Sequence, residues 1–263
     1  MAVKILVDSA AGLSRELADE NDIAIVDLHV VGLGSDAQAL STSGLSALEL
    51  AAAYGRYMER SDDDGVVAIH LAKELSSTWS AASTAAAVFP QSMRVIDAGT
   101  AGMAIGMAAL EAARLARLGA SVDECYSAAS SALQNSETWL YVRSTEELRK
   151  SGRMAPGTAV LSTALLATKP IFSLRRGKLE LVGKTRTQAK AFARLVDVVS
   201  ARAEAGPVKV FIQHHGAAAE ALQLQKSMEF AMPGVEVTVV PLTDVLALHA
   251  GPGAIGVSAF YGG

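Results

Sequence analysis

The chain has 263 residues, of which 51% are hydrophobic and 19% are charged, so it can form one large or two modest domains and is not disordered. A net charge of −4 with a pI near 5.8 excludes the basic surface of a nucleic-acid-binding protein and a polybasic membrane patch. The single cysteine, Cys125, excludes an intramolecular disulfide and a thiolate-rich zinc site, and we expect no metal and no cofactor.

The sequence shows no targeting or membrane-spanning segment. The first residues enter a short apolar strand without the basic flank and long apolar stretch of a signal peptide. Uninterrupted apolar runs also stay shorter than the roughly 18 residues that a transmembrane helix needs. These features predict a cytoplasmic protein with no transmembrane segment.

The first half of the chain alternates between predicted strands and helices. The pattern predicts strands at 3–7, 23–30, 66–71 and 94–96, and helices at 14–20, 46–60, 78–88, 101–118 and 122–135. This alternation is typical of an α/β domain with a mainly parallel sheet flanked by helices. Ligands bind at the carboxyl ends of the strands in such sheets, so we expect the polar residues that follow these strands to cluster there.

The pattern changes after about Ser144 and predicts an α+β domain with a mixed sheet. Helices are predicted at 145–150, from Pro156 to about 166, at 187–204 and at 217–232. Strands are predicted as a hairpin at 169–174 and 179–182, and at 207–213, 235–240 and 254–260. The sequence therefore predicts two domains, at residues 1–150 and 151–263.

The most informative segment is Leu75-Ser76-Ser77-Thr78-Trp79, between a predicted buried strand and an alanine-rich helix. One hydroxyl can cap the helix, and the others can bind an anion together with the free backbone N–H groups of the first turn. The helix dipole favours negative charge at this end. An ordinary helix cap with surplus serines is the alternative interpretation.

Other polar residues also lie at predicted strand ends or in motif positions. Each has a structural alternative, such as a turn, a surface ion pair or packing under a glycine turn, and their joint occurrence favours a site. The candidate set is Asp8, Ser9, Thr42, Ser43, Ser76, Ser77, Thr78, Arg153, Arg186 and His249. The sequence contains no nucleophile elbow, no Walker lysine and no His-Glu-x-x-His helix, which sets several common chemistries aside.

Seven short motifs, spread over almost the whole chain, resemble those of one protein family. The first three are Asp8-Ser9-Ala10-Ala11-Gly12-Leu13, similar to Asp-Ser-Thr-Ala-Asp-Leu; Thr42-Ser43-Gly44-Leu45-Ser46, similar to Thr-Ser-Gln-Pro-Ser; and Leu75-Ser76-Ser77-Thr78-Trp79, similar to Leu-Ser-Gly-Thr-Tyr. The other four are Ser151-Gly152-Arg153-Met154, Lys169-Pro170-Ile171, Lys184-Thr185-Arg186-Thr187 and the closing segment from His249 to Gly256. Together they resemble the DegV family of bacterial fatty-acid-binding proteins, the acyl-carrying subunits of fatty acid kinase.

The resemblance implies a DegV-like fold with one long-chain fatty acid in a tunnel between two domains, and no catalytic residue. It implies that the hydroxyls of Thr42 and Ser76 hold the carboxylate, with the amides of Ser77 and Thr78 beside them and Ser43 in the same binding set. Arg186 and His249 match basic residues at the pocket mouth. Secondary candidates are Asp8, Ser9, Arg153 and Gly251. The implied partner is a separate ATP-binding kinase subunit, whose acyl phosphate product enters phospholipid synthesis, and lipid exchange implies transient membrane contact.

Two departures from the family pattern affect the expected head-group site. Ser77 replaces a glycine, which adds a side chain where the backbone is expected to approach the ligand. Gly44-Leu45 replaces a Gln-Pro pair, which is expected to loosen the loop that fixes Thr42.

A stand-alone enzyme is the alternative function. Such a small-molecule kinase or serine hydrolase would use Ser76 as nucleophile and His249 as base. The arrangement requires both within hydrogen-bond reach and a third group that orients the histidine. Asp8 and Asp97 are the candidates for that third group.

Overall fold

The structure is a computed structural model that describes residues 2–32, 40–61, 64–154, 168–203 and 208–262. The chain divides into two compact units, Met1–Gln134 and Asn135–Gly263. The boundary that the sequence predicts at residue 150 falls inside the second unit. The difference arises because strand Ser136–Tyr141 pairs with two strands of the second unit.

The first unit is built on a four-stranded parallel sheet. The strands of this unit are β1 (Lys4–Asp8), β2 (Ile23–Val26), β3 (His29–Gly32), β4 (Leu40–Ser43), β5 (Val66–His70) and β6 (Met93–Asp97). The sheet has the order β2-β1-β5-β6, whereas β3 and β4 form a separate antiparallel pair. The strand predicted at 23–30 is therefore two strands, because the Leu28 amide between them donates to Ser9 Oγ at 3.0 Å instead of continuing a ladder.

Helices follow the strands of the first unit, as the alternation predicts. A 3₁₀ helix at Ser9–Ala11 precedes the α-helices α1 (Arg15–Glu20), α2 (Ala47–Arg60), α3 (Thr78–Ala86), α4 (Met103–Arg117) and α5 (Val122–Gln134). Of the two predicted caps for α2, Ser43 and Ser46, the structure uses Ser46, which forms a reciprocal capping box with Glu49.

The second unit contains a six-stranded mixed sheet. Its strands are β7 (Ser136–Tyr141), β8 (Lys169–Arg175), β9 (Lys178–Thr185), β10 (Val208–His214), β11 (Glu236–Pro241) and β12 (Ile255–Tyr261). Their order is β11-β10-β12-β7-β8-β9, and within it β10 and β11 are parallel while the other neighbours are antiparallel. The predicted β8–β9 hairpin is confirmed: its loop residues Arg176 and Gly177 both have positive φ, as a two-residue type I′ turn requires.

Two long helices cover one face of this sheet. The described helices of the unit are α6 (Glu146–Lys150), α7 (Gln188–Ser200), α8 (Ala218–Ala231) and α9 (Asp244–Ala250). Phe192 and Leu195 of α7 and Leu224 of α8 belong to the same buried cluster as Tyr141 and Ile212 of the sheet. The helix predicted from Pro156 to about 166 lies outside the described residues.

Candidate functional site

Three hydroxyl side chains meet where α3 begins. Ser76 Oγ accepts a hydrogen bond from the Thr78 amide at 3.2 Å and lies 2.9 Å from Thr78 Oγ1. Thr78 is fully buried, Ser76 is half-buried and Ser77 is exposed. Ser77 occupies the N-cap position, but its αR backbone conformation leaves its side chain without a capping hydrogen bond. The cluster is therefore held by Ser76 and Thr78, and the Ser77 hydroxyl is not used to cap the helix.

The segment that follows β4 approaches this cluster closely at Gly44. A Cβ added to Gly44 would lie 2.9 Å from both Ser77 Oγ and Thr78 Oγ1, and 3.2 Å from Ser76 Oγ. Thr42 and Ser43 end the same strand and pair with Val30 and His29 of β3. The structure thus places the two predicted hydroxyl segments, 42–44 and 76–78, against each other.

A buried chain of hydrogen bonds lies at the carboxyl ends of β1 and β5. Asp8 Oδ1 accepts from the Ala10 amide at 3.0 Å, and Asp8 Oδ2 accepts from the Leu71 amide at 2.9 Å. His70 Nδ1 lies 3.1 Å from Asp8 Oδ2, and His70 Nε2 lies 2.8 Å from the Tyr54 hydroxyl. Asp8, His70 and Tyr54 are all fully buried. The secondary candidate Asp8 is therefore engaged inside the fold.

The partners of His70 fix the roles of its two ring nitrogens. Burial, and next the charge of Asp8, raise the pKa of Tyr54, so its hydroxyl keeps its proton and donates to His70 Nε2. In this arrangement the Nδ1–H group of His70 donates to Asp8 Oδ2. This histidine consequently has no free nitrogen that could serve as a base for Ser76.

Two further candidates of the first unit shape turns. Ser9 Oγ accepts from the Leu28 amide, which fixes the chain where it leaves β2. Asp97 accepts from the amides of Lys73 and Gly99 at 3.3 and 3.0 Å. Ser9 and Asp97 thus position the loops around the cluster.

The candidates of the second unit lie on α9, at its end, and in two other loops. Burial, with the charge of Arg153 as a second cause, lowers the pKa of His249 to about 4. His249 is therefore expected to be neutral at physiological pH, and its place in the head-group site stays a prediction. Gly251 ends α9 with φ near +77°, and a Cβ there would meet Glu147 Cγ at 3.0 Å. Arg186 is exposed between β9 and α7.

Neither a metal site nor a membrane span is found among the residues that the structure describes. Within those ranges His, Cys, Asp and Glu side chains form no group of three that could hold a metal ion. The helices built from the same residues are too short or too polar to cross a bilayer.

His70, Tyr54 and the close approach of Gly44 are features of this region that the sequence patterns do not predict. A signal for His70 was available, because an imidazole inside the apolar run 66–71 needs buried partners. Tyr54 carries no such signal, since it is one apolar-face residue of an amphipathic helix. From the sequence, Gly44 is expected to loosen the loop. In the structure, its lack of a Cβ leaves room for the hydroxyls of Ser76, Ser77 and Thr78.

Comparison with known proteins supplies the family. The profile described as "Uncharacterised protein, DegV family" matches residues 2–262. The DegV domain-containing protein Cgl2349/cg2579 of Corynebacterium glutamicum is 49% identical over 263 residues, with 99% of this chain and 94% of that protein covered. The chain belongs to the DegV family.

Other DegV proteins agree in sequence and in fold. DegV domain-containing protein Mb2440c of Mycobacterium bovis is 35% identical over 271 residues, covering 98% of this chain and 96% of that protein. The crystal structure of the DegV family protein Cg2579 from C. glutamicum superposes with a TM-score of 0.95 at 48% identity, covering 100% of this chain and 98% of that one. The two-domain α/β fold of DegV proteins, predicted from the sequence, is thereby confirmed.

One solved DegV structure carries information about a ligand. A DegV family protein from Thermus thermophilus, described by its fatty acid binding, superposes with a TM-score of 0.90 at 25% identity. The similarity covers 99% of this DegV chain and 100% of the Thermus chain. Fatty acid binding therefore occurs within the DegV family.

Proposed function

We propose that this protein binds one long-chain fatty acid and presents its carboxylate to a separate ATP-dependent kinase subunit. The main support is the convergence of the Ser76, Ser77 and Thr78 hydroxyls on Gly44 at the start of α3. A group of hydroxyls at a helix N-terminus suits an anionic head group. The similarity to a fatty-acid-binding DegV protein supports the nature of the ligand.

The acyl tail supplies most of the affinity in this proposal. A buried methylene group contributes about 0.8 kcal/mol, so a chain of roughly sixteen carbons gains on the order of 10 kcal/mol before the costs of ordering and association. The carboxylate adds little net affinity, because its removal from water is costly unless donors replace its hydration. The head-group contacts therefore serve orientation more than affinity.

The orienting groups divide into neutral donors and a cation. Thr42, Ser43, Ser76 and Ser77 supply hydroxyls, and Thr78 holds Ser76 in place. Arg186 is the proposed positive charge, and the neutral imidazole of His249 is a hydrogen-bond partner. In the reaction, a carboxylate oxygen forms a bond to the γ-phosphorus of ATP on the partner while the bond to the ADP oxygen breaks.

The ligand itself is the first test. Native mass spectrometry of freshly purified full-length protein, followed by organic extraction, is expected to reveal a co-purified long-chain fatty acid at up to one per chain. A ligand-free protein that also fails to take up added palmitic acid would contradict the proposal.

Substitution of Ser76 separates orientation from affinity. We expect Ser76→Ala to lower acyl phosphorylation by the kinase subunit about a hundredfold, because a displaced reacting oxygen is costly. Affinity for palmitic acid should fall less than about tenfold, because the tail carries the binding energy. Phosphorylation assays and binding titrations measure the two effects.

Ser80→Ala is the matched control, because Ser80 is an exposed serine on the same helix, one turn from the cluster. It should change neither quantity. An equal loss of binding and phosphorylation in Ser76→Ala would count against an orienting role. Turnover of ATP, or of an ester, by the isolated protein would instead favour the stand-alone enzyme.

A further inference from the structure

The two residues that depart from the family pattern, Gly44 and Ser77, lie next to each other in the structure. Three hydroxyl oxygens occupy the volume that a side chain on residue 44 would fill, with Ser77 Oγ and Thr78 Oγ1 only 2.9 Å from that Cβ position. A real Cβ does not tolerate contacts of this length, so either the oxygens or the loop would have to move. Gly44 therefore leaves room for Ser77 Oγ, whereas a Cβ at position 44 would require the hydroxyls or the loop to shift.

We propose that Gly44 and Ser77 form a complementary pair that sets the head-group specificity of the site. Ser77 Oγ is an additional hydroxyl donor for the carboxylate beyond those that the family pattern implies, and Gly44 leaves the space in which it lies beside Ser76 and Thr78. This inference rests on the proposed function, because it assigns the pair to the fatty acid head group. It reverses the expectation that Gly44 merely loosens the loop.

The hydrogen bonds around the pair support a ligand-directed role for Ser77. Ser76 Oγ already accepts from the Thr78 amide and lies within hydrogen-bond distance of Thr78 Oγ1. Ser77 differs, because its side chain makes no capping hydrogen bond and it is exposed, although serine at an N-cap normally accepts from the first turn. Its hydroxyl makes no such bond within the cluster and can donate to a ligand.

The chemistry of the head group determines which ligand benefits. A carboxylate offers two charged oxygens with several acceptor positions, so an additional donor finds an acceptor and the hydrogen bond is charge-assisted. A fatty alcohol has a single neutral oxygen, which Ser76 can serve without help from Ser77. The pair should therefore raise the preference for a free fatty acid over an alcohol of the same length.

The test compares palmitic acid with cetyl alcohol on delipidated full-length protein. Ser77→Ala is expected to weaken palmitic acid binding about fivefold and cetyl alcohol binding less than about twofold. Gly44→Ala should weaken palmitic acid binding about tenfold or more, because the added Cβ displaces several hydroxyls at once. Displacement of a fluorescent fatty acid, checked by native mass spectrometry, gives the affinities.

Two further variants provide the controls. Gly32→Ala adds a Cβ in β3, where it meets no atom of the described residues within 4 Å, and should leave both affinities unchanged. The double variant Gly44→Ala with Ser77→Gly should bind palmitic acid no more weakly than Gly44→Ala alone, because the two changes act on one contact. Additive losses would overturn the pairing.

The outcomes distinguish this inference from the function on which it rests. If the unmodified protein binds neither probe, the proposed function fails. If it binds palmitic acid and the acid-to-alcohol preference is the same in Ser77→Ala, the inference fails and the proposed function stands. An equal loss of both ligands would also overturn the inference, because it would indicate damage to the tail site.

Discussion

His249 lies in surroundings that disfavour its charged form. Burial and the nearby Arg153 lower its pKa in the folded protein to about 4, whereas an unfolded histidine titrates near 6.5. Between these values the unfolded chain binds a proton that the folded chain does not, so the free energy of unfolding falls as the pH falls. The contribution of His249 is complete above pH 6.5 and is lost as the pH approaches 4.

We expect His249→Gln to remove this pH dependence. The melting temperature of the variant should decline less steeply than that of the unmodified protein between pH 6.5 and 4, and run parallel to it above pH 6.5. Thermal unfolding followed by circular dichroism over this range measures both curves. Curves that stay parallel down to pH 4 would show that the histidine is not held neutral.

At the level of elements, the Tyr54–His70–Asp8 chain ties α2 to β1 and β5. α2 starts just after the Thr42–Gly44 segment, and β5 leads into the Ser76–Thr78 turn. Hydrogen bonds between fully buried groups are costly to break, because the group left behind cannot be hydrated. These hydrogen bonds thus fix the positions of the elements next to the Thr42–Gly44 segment and the Ser76–Thr78 turn.

Removal of one hydroxyl tests this tie. Tyr54→Phe leaves His70 Nε2 buried without its donor, so we expect the free energy of unfolding to fall by about 1–3 kcal/mol. Tyr57→Phe on the same helix is the control, because the partly exposed Tyr57 stacks with Arg60 through its ring, which the change keeps. Urea denaturation quantifies both, and similar values for the two variants would exclude a special role for the buried chain.

The elements that the sequence predicts well are those with strong local signals. β5 is a continuous apolar run that is buried at every residue, and α2 combines a capping box with an amphipathic pattern. β3 is exposed at all four residues, and α9 has only seven residues, so neither has a hydrophobic period long enough to read. β7 was missed for a similar reason, which displaced the predicted domain boundary.

Some residues of the candidate site are likewise predictable from the sequence, and others are not. The hydroxyls of the Ser76–Thr78 turn and the carboxylate of Asp8 follow buried strands, and strand ends are visible in the sequence. The contact of Gly44 with that turn and the partnership of His70 with Tyr54 join residues far apart in the chain. Such pairs arise from tertiary packing, which periodicity and capping patterns do not encode.

For the whole molecule, the proposed fatty acid would act as part of the folded state. A ligand that binds only the folded protein stabilises it by about 2.7 kcal/mol at a free concentration one hundred times its Kd. Delipidation of the purified protein should therefore lower the melting temperature by several degrees, since about 1 kcal/mol shifts it by roughly 2–4 °C in a chain of this size.

Calorimetry before and after delipidation checks this expectation. Added palmitic acid should restore the original melting temperature, and octane, which lacks both the head group and most of the tail, should not. Identical transitions with and without lipid would mean that the acyl chain contributes nothing to the fold.

Helix α3 begins at Thr78, and its N-cap residue Ser77 makes no side-chain capping hydrogen bond. Ser76 Oγ accepts from the Thr78 amide, but Ser77 offers no side-chain acceptor to the amides that follow, whereas the capping box of Ser46 and Glu49 serves α2. A bound anion would accept hydrogen bonds from the first-turn amides of α3. Ligand binding would then also order the start of this helix. The conformation at the N-terminus of α3 would then differ between the ligand-bound and ligand-free protein, and a partner that contacts this end of the helix could distinguish the two.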